Sequence, residues 1–76
     1  MTTTHKKFIA TIGVHDKNTT ECITIKEIAV EALDKYEGHK AAFLKCDVNA
    51  DQEVFKLVDS TTGKQVFDFI SGFLQA

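Results

Sequence analysis

Seventy-six residues with a formal charge of −2 amount to one domain, and a chain that short buries only about 60% of the surface its unfolded form exposes. A 43% hydrophobic and 26% charged composition excludes a disordered chain, and the slight acidic excess disfavours a nucleic-acid binder, which carries a basic excess. No apolar run reaches the ~18 residues of a membrane-spanning helix.

Residues 1–5 read as a flexible tail and 6–76 as a single domain. Met1 to His5 has no apolar run of the signal-peptide kind, and Thr2 stands where myristoylation needs glycine. Cys22 and Cys46 form neither a Cys-x-x-Cys pair nor a disulfide framework. The expected setting is therefore cytoplasmic and reducing.

Lys7 to Val14 alternates, with Phe8, Ala10, Ile12 and Val14 on one side and Ile9, Thr11 and Gly13 on the other, which predicts a strand. His15 to Thr20 is polar and reads as a turn; Glu21 to Ile23 reads as a short strand pairing back. Thr24-Ile25-Lys26-Glu27 fits a capping box, with Ile23 and Ile28 as its hydrophobic staple. Ile25, Ile28, Ala29, Ala32, Leu33 and Tyr36 then recur at helical spacing, predicting a helix over 25–37 ended by Gly38. Lys40 to Val48 alternates again and predicts a strand.

Val54 to Val58 and Gln65 to Ile70 flank the turn-forming segment 59–64, which predicts a hairpin with Gly63 in the left-handed region. The rival reading places a helix over 63–75, with Val66, Phe67, Ile70, Phe73 and Leu74 as its stripe. β-Branched and aromatic residues in both arms favour the hairpin. The expected fold is a small two-layer α+β domain: an antiparallel sheet of about four strands on one main helix, in the order β(β)αβββ.

His15, Cys22, His39 and Cys46 are soft ligands, but no two have the spacing of a zinc signature. No metal or cofactor is expected. A cysteine with a distant histidine is compatible with a thiol nucleophile, yet no local motif supports one and no catalytic residue is nominated. Thr61-Thr62-Gly63-Lys64 lacks the earlier glycine and the following hydroxyl residue of a phosphate-binding loop. Lys6, Lys7, Lys17 and Lys56 would have to carry a nucleic-acid-binding reading, which the net charge disfavours.

Phe8-Ile9-Ala10-Thr11 is similar to the strand that leads into the thioredoxin active site. Phe43 to Asn49 with Asp51 to Val54, and Gly63 to Val66 with Phe69 to Gly72, resemble later thioredoxin segments. The resemblance implies a small thiol-dependent or degenerate thioredoxin-like domain. Gly13-Val14-His15-Asp16 replaces the redox Cys-x-x-Cys, and the chain has no proline to face it, so no redox residue carries over.

One helix covers one sheet face. The other is expected to carry Ile9, Phe43, Val54, Val58, Val66 and Ile70, an apolar set that soluble monomers rarely leave exposed. The leading expectation is a non-enzymatic interaction or regulatory protein. It would bind a protein partner through that face, with a homodimer among the possibilities. By size and architecture it would be a phage-type modulator of host machinery.

Overall fold

The computed structural model describes residues 5–16, 18 and 21–74. It comprises β1 (Lys6–His15), β2 (Cys22–Ala32), α1 (Lys35–Phe43), a 3-10 turn (Val48–Ala50), β3 (Gln52–Asp59), β4 (Lys64–Asp68) and β5 (Gly72–Phe73). The strands form one five-stranded sheet in the order β2-β1-β3-β4-β5. Every neighbouring pair is antiparallel. The small α+β class with one helix on an antiparallel sheet holds, with five strands rather than about four.

The stretch read as a capped helix over 25–37 is instead β2. The misreading has a definite cause. β2 pairs with β1 out to Lys26 and then slips, so that Ile12 faces Lys26 but Gly13 faces Thr24. Ile25 is thus the extra residue of a bulge. A one-residue insertion converts two runs of period two, ending at Ile25 and resuming at Ile28, into apparent helical spacing. Ile23, Thr24, Ile25, Ile28 and Val30 are β-branched, and in β2 they act on that preference. Thr24 is a strand residue; the helix cap is Asp34, whose Oδ1 accepts from the Glu37 N–H at 2.9 Å.

Gly38 does not end the helix but sits buried inside it. A Cβ there would lie 2.9 Å from Cδ2 of Phe8, so the glycine makes room for a core ring. The alternation read as a strand over 40–48 is the last turn of α1 and its exit. Ala42 is fully buried, whereas Leu44 is 75% exposed, so no common face exists. The chain then closes its N–H groups on carbonyls three and four residues back, from Leu44 to Cys46. Asp47 caps the 3-10 turn through the Asn49 N–H, and Asp51 ends it at φ 58°.

The hairpin reading of the last third holds. Gly63 has φ 73°, its N–H donates to the Asp59 carbonyl at 2.7 Å, and β3 and β4 pair across it. Gly72 lies in β5 with φ 80°. Two further slips make Phe55 the extra residue of β3 and Val66 that of β4. Phe8, Ala10, Val30, Ala32, Ala42, Val54, Leu57 and Val66 form the core between sheet and helix. β2 and β3 both run antiparallel to the β1 strand between them and so parallel to each other, and α1 connects them as a split βαβ crossover; among the described residues no two neighbouring strands are parallel.

Candidate functional site

Alternation along β1 fixes the two faces of the sheet. Phe8 and Ala10 join the core under α1, so Lys7, Ile9, Thr11 and Gly13 turn to the opposite, open face. Cross-strand register extends this into rows. Lys7 stands opposite Glu31; Ile9 lies between Ala29 and Val58; Thr11 lies between Glu27 and Lys56, and Lys56 faces Asp68. The open face therefore carries the apolar Ile9 row between charged positions, and at the Gly13 end the buried Phe55 ring, which lies over the glycine and stacks on Phe69 at 4.7 Å. Thr11 Oγ1 donates to Glu27 Oε2 at 3.5 Å. N–H groups of Ile70 and Ser71, the Gln65 amide and Lys56 hold the Asp68 carboxyl below its ordinary range, chiefly through Ile70.

The six residues expected on one apolar face are dispersed. Ile9 and Val58 are half-buried neighbours on the open face. Val54 and Val66 are buried in the core beneath the helix. Phe43 belongs to α1, on the other side of the sheet. Ile70 is 80% exposed in the turn between β4 and β5. The extra residues Phe55 and Val66 reverse the parity by which a face is counted and account for Val54 and Val66, whereas Phe43 and Ile70 lie outside the strands.

β2 is the element left without a second partner. It stands at the sheet's end and, among the described residues, pairs with β1 alone. Its eleven residues are exposed from Cys22 to Glu27, with Ile23 49% and Ile25 50% accessible. An edge of this length presents a row of backbone donors and acceptors ready to pair. The opposite edge, β5, has two residues. The signal for β2 was present in its β-branched content, but the bulge hid the alternation.

Beside the hairpin end lies an open cleft of about 580 Å³. Val14, Ile23, Phe43 and Val48 supply its apolar lining; Asp16, Asp51 and Glu53 supply carboxylates. It is shallow and holds no nucleophile paired with a base. Cys46 is outside its lining, donates to the Ala42 carbonyl at 3.6 Å, and has a thiol pushed up by burial, the reverse of an activated thiolate. Cys22 is a free, exposed thiol. Among the described residues no three histidine, cysteine or carboxylate side chains converge to hold a metal.

His39 sits in an aromatic cluster between α1 and the last two strands. Its ring lies 4.3 Å from Phe67 and 5.4 Å from Phe73, and burial lowers its pKa. Tyr36 lies tilted against Phe73 at 4.6 Å, and Lys35 Nζ donates to the Leu74 carbonyl at 2.6 Å. The cluster is a clasp on the short edge. Of the lysines considered for nucleic acid, Lys7 and Lys56 share the open face and Lys6 lies on the other; Lys17 is outside the described residues. No helix is long and apolar enough to cross a membrane among the described residues. No protein family, curated protein or solved structure matches the chain.

Proposed function

We propose that this chain is a non-enzymatic interaction protein that binds a protein partner by accepting an added strand along β2. The observation that carries this reading is the eleven-residue edge strand paired on one side only. In strand addition, backbone hydrogen bonds provide affinity and side chains flanking the edge provide selectivity. Ile28 and Val30 supply the apolar margin, since they lie against the core on the helix side of β2. An added strand would continue that core outward. The cleft at the hairpin end touches β2 only through Ile23, whereas residues 26–32 lie outside its lining.

The test is selection from an unbiased displayed peptide library against the folded protein. Backbone amide shifts then map the selected peptides on the isotope-labelled chain. Perturbations concentrated along β2 are expected. Peptides that map to the cleft, or a library that yields no binder, would contradict the reading.

A further inference from the structure

We infer that the strand accepted by β2 is a basic–apolar–any–apolar–basic segment of another protein, rather than a second copy of this chain. The inference rests on the strand-addition reading above and adds the chemistry of the partner. Between Lys26 and Ala32 the register with β1 is unbroken, so the faces of β2 alternate without interruption. Glu27, Ala29 and Glu31 lie on the open face; Lys26, Ile28 and Val30 lie on the helix side. Glu27 and Glu31 are both exposed. They are four positions apart on one face, the separation of alternate same-face positions on any strand laid beside them.

A strand paired there meets Glu27 and Glu31 with two of its own open-face residues, and Ala29 with the one between them. Directly opposed charges of like sign destabilise a strand pair, and opposite charges support it. The two outer positions therefore call for lysine or arginine. The positions between them turn to the helix side beside Ile28 and Val30, where apolar side chains extend the core. The pattern is the same for parallel and antiparallel addition, because both keep the two-residue period.

The same charges disfavour self-pairing. Two copies joined edge to edge by a two-fold axis form an isologous antiparallel pair, in which the two opposed positions lie equally far on either side of a central residue. Centring on Glu27 sets Glu27 against its copy. Centring on Ala29 sets Glu27 against Glu31 twice. Centring on Lys26 sets lysine against lysine. Lys26 is on the helix side and both glutamates are on the open face, so no centre sets Lys26 against a glutamate. Self-pairing offers repulsion or neutrality, and a foreign basic strand offers attraction along the same edge.

The probes are three soluble peptides of equal length with the cores Lys-Val-Thr-Val-Lys, Glu-Val-Thr-Val-Glu and Lys-Val-Thr-Lys-Val, labelled for fluorescence anisotropy. The first should bind at least tenfold more tightly than the other two, and raising the salt concentration should narrow its lead. The double variant Glu27→Lys/Glu31→Lys should reverse the order of the first two. The wild-type ranking is read independently of that variant, so a misfolded variant does not remove the test. Equal binding of all three peptides, with amide shifts along β2, would overturn the charge pattern while strand addition stands. Binding of none, with β2 amides unchanged, would overturn strand addition itself. A dimer by sedimentation whose β2 amides are protected without peptide would overturn the foreign partner in favour of a second copy.

Discussion

Gly38 shows how one missing methyl group links helix and sheet. Alanine favours a helix interior over glycine by about 1 kcal/mol. Here its Cβ would press on the Phe8 ring, which is 1% exposed and has nowhere to go. Overpacking of that kind costs about 1–3 kcal/mol, so Gly38→Ala should lower the denaturation midpoint; a raised midpoint would show that the ring yields freely. His39 gives a pH signature. Burial holds its folded pKa below the ordinary 6.5, so the unfolded chain takes up the proton first. Its contribution to stability is complete above the unfolded pKa and declines as pH falls from there through the folded value. Thermal melts across that interval should show the decline, and His39→Gln should flatten it. Neither role was legible in the sequence, where Gly38 reads as a helix end and His39 as one of four soft ligands without zinc spacing; both depend on which ring packs opposite.

At the scale of elements, the caps separate the two readings of the middle of the chain. Asp34→Ala should cost about 1 kcal/mol, the usual worth of an N-cap side chain. Thr24→Ala, on an exposed strand, should change stability by about 0.5 kcal/mol or less. Urea denaturation of the two variants measures both, and the reverse ranking would return the helix to 25–37. β1, the β3–β4 hairpin and the positive φ of Gly63 were legible because their local chemistry is unambiguous: strict alternation in one case, turn residues in the other. β2 and α1 were exchanged in part because Ile25 is a bulge residue and Ala42 to Val48 alternates by chance through a helix end. The open-face residues were scattered for the same reason. Ile9 and Val58 are neighbours on the open face, whereas the bulge at Val66 and the helical state of Phe43 send those two elsewhere.

The whole molecule is a sheet with unequal edges: one of two residues, clasped by aromatic rings, and one of eleven residues paired only on its inner side. A long free edge is a hazard for association unless it is managed by charge, bulges or cover. β2 carries the bulge at Ile25 and charges at Lys26, Glu27 and Glu31, features of the kind that manage such an edge and that the proposed strand addition uses. The class of fold was legible from composition and pattern, whereas the asymmetry of the edges follows from strand order, which no local pattern encodes. Residue-resolved amide hydrogen exchange over Lys26–Ala32 in the free protein tests the free edge most directly. Amides bonded to β1 should be protected and the intervening ones, pointing away from it, should exchange rapidly, giving alternation along the strand. Uniform protection of every amide in that stretch, as in a helix or a covered edge, would contradict the account.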